Sequence, residues 1–230
     1  MFMNKKIIFI DWDGTLSSSR FWGELRETNN NFAKIVNDFF IFEKKIVIDW
    51  MKGLLTSEYI NKIISQKSGI SEDKLWKIFI SDCQNMIIDP HAINLIQNIR
   101  VKYPVILVTG NMDCFTRFTI PALKLNDKFD LIVNSADVGY LKTDYNGKCF
   151  MDCAKQFNIK SMSNAYLIED SVKTCETFSR LGGNALKVSN LNETLSHLKL
   201  LLIGDTTIPV DLISPKAKKK YFIKTSWHTA

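Results

Sequence analysis

The run Lys5-Lys6-Ile7-Ile8-Phe9-Ile10-Asp11-Trp12-Asp13-Gly14-Thr15-Leu16 decides the fold. Lys5 to Ile10 reads as a short buried strand, a continuous apolar run that ends at acid. Parallel sheets covered on both faces use strands of this kind. Just past its end stand two aspartates, and Gly14 permits a turn there. In an open parallel sheet, ligands gather beyond the carboxyl ends of the strands.

Downstream, residues 17–86 carry a helical pattern. Phe32, Ile35, Val36, Phe39 and Phe40 repeat at helical spacing, as do Leu75, Ile78 and Phe79. Ser71, followed by Glu72 and Asp73, predicts a helix start. Asp89-Pro90 predicts a second one, with proline at the first helical position and the helix running to about Lys102. Strands are then expected at 104–108, 129–133, 165–168 and 185–188. Helices are expected at 112–123, whose end Pro121 breaks, and at 150–157, 172–181 and 191–201. Such alternation implies right-handed crossovers and a three-layer α/β/α, Rossmann-like parallel sheet. The expected division is a core of residues 1–16 and 87–203, an inserted all-α cap of 17–86, and a basic tail of 204–230.

The chain has 230 residues, enough for one compact domain with an inserted lobe. At 46% hydrophobic and 23% charged it has a folding rather than a disordered composition. No apolar run reaches the ~20 residues of a membrane span. The apolar stretch behind Lys5 and Lys6 is too short for a signal-peptide core, so a cytoplasmic location is expected. The five cysteines, Cys83, Cys114, Cys149, Cys153 and Cys175, include no CxxC pair. They read as reduced and structural. The net charge is +6, and half of it lies in the tail, where five lysines face two aspartates. That excess suits an anionic substrate and is too small to argue for nucleic acid by itself.

Four polar clusters fall at strand ends: Asp11 and Asp13; Thr109-Gly110-Asn111; Lys142 in a loop; and Glu169-Asp170. The set suits phosphoryl transfer. One carboxylate attacks phosphorus and a second serves as general acid, then base. Clustered carboxylates repel one another and call for a cation, and hard oxygen donors select Mg²⁺. Lys142 and backbone N–H groups would stabilise the charge on the equatorial oxygens.

In these motifs the sequence resembles the haloacid dehalogenase (HAD) superfamily over roughly residues 5–203. Asp11-Trp12-Asp13-Gly14-Thr15-Leu16 is similar to its DxDGT motif. The strand ending in Thr109, the segment Gly139-Tyr140-Leu141-Lys142, and Glu169-Asp170-Ser171 resemble the second, third and fourth motifs. The resemblance implies Asp11 as nucleophile and metal ligand, and Asp13 as general acid/base offering its carbonyl to the metal. It implies phosphate binding by Thr109 with the backbone at Gly110 and Asn111, and by Lys142. Mg²⁺ would be held by Asp170 directly, and by Glu169 directly or through water. It also implies a helical cap that closes over the site and chooses the substrate. The family's dehalogenases lack the second aspartate, so Asp13 points away from halide displacement. Two features depart from the pattern. Thr143 follows the lysine where many relatives have proline, and Thr174 and Cys175 stand where many carry a further aspartate.

Plainer roles compete for several residues: a helix cap for Thr109, an exposed loop lysine for Lys142, a charged helix start for Glu169-Asp170. Phe21, Trp22, Trp50 and Trp76 read as cap packing. His91, His197 and His228 carry no assigned role. The expected function is Mg²⁺-dependent hydrolysis of a small phosphomonoester through an aspartyl-phosphate. The alternatives are a phosphotransferase or sugar phosphomutase, or a phosphatase whose phosphoprotein or nucleic-acid substrate docks on the basic tail. Substrate identity and oligomeric state stay open.

Overall fold

The computed structural model describes residues 6–203. The tail expectation, residues 204–230, lies outside them. Five strands form one parallel sheet in the order β3-β2-β1-β4-β5. They are β1 (Ile7–Ile10), β2 (Val105–Thr109), β3 (Leu131–Asn134), β4 (Ala165–Glu169) and β5 (Asn184–Lys187).

Period-two alternation explains how a four-residue strand serves two cores. Ile8 and Ile10 point to one face, with Val105, Leu107, Tyr166 and Ile168 beside them. Ile7 and Phe9 point to the other, with Ile106, Val108, Ala165 and Leu167. The first face is covered by α6 (Pro90–Arg100) and α11 (Leu191–Ile203). The second is covered by α9 (Lys148–Gln156) and α10 (Val172–Arg180). The three-layer expectation holds.

Between β1 and α6 lie five helices: α1 (Gly23–Thr28), α2 (Asn30–Phe42), α3 (Lys44–Met51), α4 (Ser57–Ser68) and α5 (Glu72–Gln84). Their starts follow local chemistry. Asn29, Thr56 and Ser71 cap α2, α4 and α5 by accepting from the N–H three residues on. Asp89 accepts from His91 N at 2.6 Å and Pro90 opens α6, as the sequence predicts. Trp22, Trp50, Phe32, Phe39 and Phe79 fill the interior of this lobe, with Phe21 and Trp76 packed against it.

The helix expected at 112–123 is present over 113–122, with a five-residue π turn, Phe115–Thr119, set within it before α7 (Ile120–Ala122). Pro121 has no N–H to donate and its ring crowds the preceding turn, which the wider π turn accommodates. A four-residue helix that the sequence reading left out, α8 (Ser135–Val138), follows β3.

This π segment joins the two lobes. Met112 and Cys114 belong to the apolar cluster of the helical lobe, and Phe118 packs on it. Asp113 accepts from Trp50 Nε1 at 3.0 Å, Ser57 Oγ at 2.5 Å and Arg117 Nη1 at 2.8 Å. Ser135 Oγ donates to Met51 O at 2.6 Å. Lys52 pairs with Asp144 at 2.6 Å. At Gly53 (φ +68°) a Cβ would lie 2.3 Å from Ala136 O, so only glycine allows this approach. At the neck of the insertion, Ser19 Oγ accepts from Ile87 N at 2.9 Å. No described helix is long and apolar enough to cross a membrane.

Candidate active site

The strand order reverses at β1 and β4: the chain leaves β1 for one side of the sheet and β4 for the other. Binding crevices form at such switch points. Asp11 follows β1, and its N–H donates to Ile168 O of β4 at 3.0 Å. Glu169 ends β4 and Asp170 follows it. Acidic oxygens of Asp11, Glu169 and Asp170 lie within 4.8 Å of one another.

Lys142 comes from the loop after α8 and reaches into this group. Its Nζ lies 2.7 Å from Asp11 Oδ1 and 2.6 Å from Glu169 Oε2. Burial pulls the ammonium toward its neutral form, but Asp11 and Glu169 outweigh it and hold the lysine above its ordinary pKa. Burial, then the charge of Asp11, push the Glu169 carboxyl well above the usual range, against Lys142 and the Ser171 N–H.

Asp11 Oδ2 and Thr109 Oγ1 are buried and have no hydrogen-bond partner among the described residues. Unmet groups of this kind are costly in a finished core and point to a ligand. Three clustered acidic groups against one lysine call for a further cation, and all the donors are hard oxygens. The residues therefore fit a divalent metal.

The structure brings all eight expected residues to one rim and sorts them into two layers. Asp11, Asp13, Thr109, Gly110, Lys142 and Asp170 line a cleft of about 1480 Å³ beneath the helical lobe. Asn111 and Glu169 lie behind it. Asn111 does more than lend backbone: its Nδ2 donates to Asp13 Oδ2 at 3.0 Å. Asn134 Oδ1 in turn accepts from Asn111 N at 3.2 Å, and the one Ser135 hydroxyl proton is shared between Met51 O and Asn111 O, the latter at 3.0 Å. Both oxygens of Glu169 are engaged, one by Lys142 and one by Ser171 N at 3.0 Å.

Sequence reasoning missed Asn134 and Ser135, whose asparagine and serine also suit an ordinary strand end. It also left Cys149 and Cys175 as general packing. The Cys149 thiol lies 3.6 Å from Lys142 O and the Cys175 thiol 3.8 Å from Glu169 O. Buried thiols thus brace the main chain of both members of the ion pair. All five cysteines are buried and free.

Gly14 is required twice over. Its φ is +73°, and a Cβ would fall 2.3 Å from Asp170 Oδ2. Gly14→Ala should cost roughly 1–2 kcal/mol in backbone strain and also displace the Asp170 carboxylate. Thermal melts with and without Mg²⁺ check this: the variant should melt lower and gain less from the ion than the parent.

Fold and site together define an α/β protein with a helical insertion and an acidic centre at its switch point. The family model for haloacid dehalogenase-like hydrolases matches residues 5–182, and the chain belongs to that family. No curated protein matches it. A HAD-family enzyme from Bacteroides thetaiotaomicron superposes with a TM-score of 0.65 at 19% identity, covering 80% of this chain and 94% of its own. The same enzyme in complex with magnesium and inorganic phosphate gives a TM-score of 0.61 at 22% identity, covering 80% and 93%. A HAD-like hydrolase from Porphyromonas gingivalis gives 0.61 at 16% identity, covering 86% and 98%. At these identities the likeness concerns the fold.

Proposed function

We propose that the chain is a Mg²⁺-dependent phosphatase that hydrolyses a phosphomonoester through an aspartyl-phosphate on Asp11. The observation that carries this reading is the state of Asp11. One of its oxygens is held by Lys142, the other is buried without a partner, and acidic groups crowd around it. A Bacteroides thetaiotaomicron relative that binds both magnesium and inorganic phosphate supports it.

Asp11 and Asp170 would hold the metal with the Asp13 carbonyl, while Glu169 anchors Lys142 from behind. When bound, Mg²⁺ neutralises the carboxylate cluster and polarises a phosphoryl oxygen. Asp11 attacks phosphorus, the bond from phosphorus to the leaving oxygen breaks, and Asp13 gives that oxygen its proton. Lys142 and the Thr109 hydroxyl take phosphoryl oxygens. Asp13 then accepts a proton from the water that attacks phosphorus, which frees phosphate and restores Asp11. The Asn111 amide keeps the Asp13 carboxylate aimed into the cleft.

The purified protein should release 4-nitrophenol from 4-nitrophenyl phosphate in Mg²⁺, and EDTA should abolish the release. Activity that persists at saturating EDTA would refute the reading.

A further inference from the structure

The cleft is larger than a phosphate needs, at about 1480 Å³. Its roof is apolar: Phe40, Val47, Ile48 and Met51 of α2 and α3 line it from the helical lobe. Met51 Cε lies 3.2 Å from where a Cβ at Gly110 would sit, so this roof reaches down to the Thr109-Gly110 turn. A polyol leaving group would gain no side-chain hydrogen bonds from these four roof residues, whereas an apolar stem would bury its surface there.

Two cations from the helical lobe and its linker face the same cleft, Arg20 and Lys44. Four other lysines of that lobe are paired, Lys34 with Asp38, Lys45 with Asp49, Lys52 with Asp144 and Lys67 with Glu43, whereas Lys62, Lys74 and Lys77 form no salt bridge among the described residues but do not line the cleft. Neither Arg20 nor Lys44 forms a salt bridge among the described residues. An anion bound in the cleft would satisfy both.

We infer that the substrate is a phosphomonoester whose leaving group has an apolar stem ending in a second anionic group, received by Lys44 with Arg20. This rests on the phosphatase reading for the reacting end, and it makes Lys44 a specificity-determining residue. The distal anion is a carboxylate or a second phosphate, which the two charged probes below separate.

Binding of non-hydrolysable phosphonates tests it apart from catalysis. Calorimetry in Mg²⁺ would compare 6-phosphonohexanoate and hexane-1,6-bisphosphonate with hexylphosphonate. The parent should bind at least one charged probe about fivefold more tightly than hexylphosphonate, as a partly exposed ion pair allows. Lys44→Gln should erase that preference. Lys45→Gln, on the same helix but paired with Asp49, should keep it. Equal binding of all three probes by the parent, or a preference that survives Lys44→Gln, overturns the inference. Failure of the phosphatase reading shows separately, as absence of 4-nitrophenyl phosphate hydrolysis.

Discussion

Asp11→Asn should lower kcat/KM on 4-nitrophenyl phosphate by at least about 10⁴-fold, because the amide cannot form the acyl phosphate and the remaining groups act only as a unit with it. The same change should make the metal-free protein more heat-stable. Asp11 is buried beside Glu169 and Asp170, and removing one charge relieves repulsion while Lys142 keeps Glu169 as its partner. Added Mg²⁺ should raise the melting temperature of the parent and do little for the variant, since ligand binding stabilises only the state that binds. Differential scanning calorimetry with and without Mg²⁺ reads both effects. A parent-like activity would remove Asp11 from the nucleophile's role. A parent-like response to Mg²⁺ would remove it from the metal site.

Lys142→Met should be damaging in a different way. It leaves Asp11 and Glu169 buried without their counter-ion, and breaking a buried pair costs about 3–5 kcal/mol. Activity should fall about 10²- to 10³-fold with the loss of a donor to the phosphoryl oxygens. The stability loss should grow with pH. Glu169 already titrates above the ordinary carboxylate range in the folded chain, and without Lys142 it rises further. The folded state then binds more protons than the unfolded state above about pH 4, so stability falls as pH rises through that window. Urea melts at pH 5 and pH 8 should show the larger deficit at pH 8. An equal deficit at both would mean that the lysine's contribution is packing alone.

Much of this was legible in the sequence because it rests on short-range rules. The run Ile7–Ile10 with Asp11 and Asp13, the caps at Ser71 and Asp89-Pro90, and the spacing of the four polar clusters each depend on neighbours in the chain. They led to the sheet, the helical insertion and eight rim residues. What was not legible depends on contacts across the fold. Asn111 reads as a backbone contributor until it is seen donating to Asp13, ninety-eight residues away. Glu169 reads as a member of the acidic metal cluster, as its place beside Asp11 and Asp170 bears out, but its second task of pairing with Lys142 and the Ser171 N–H shows only in the fold. Lys44 stands beside Lys45 with nothing to tell them apart, and only the packing of α3 turns one toward the cleft and gives the other an aspartate. The helix expected at 112–123 formed, but the π turn inside it was not legible, because it depends on Pro121 and on the packing of a segment that bridges two lobes.

The strand order has a consequence for how the molecule is made. β1 lies at the middle of the sheet, and its neighbours begin at Val105 and Ala165. During synthesis Ile7–Ile10 must wait through the whole helical insertion before any partner strand exists, an apolar edge with nothing to pair with. The helices made meanwhile have local contacts and form early. Yet their interior is closed by Met112 and Cys114, which are made only after β2. The late arrival of one short stretch therefore closes the interior of the helical lobe and gives β1 its first partner strand, so that lobe and sheet gain their structure together.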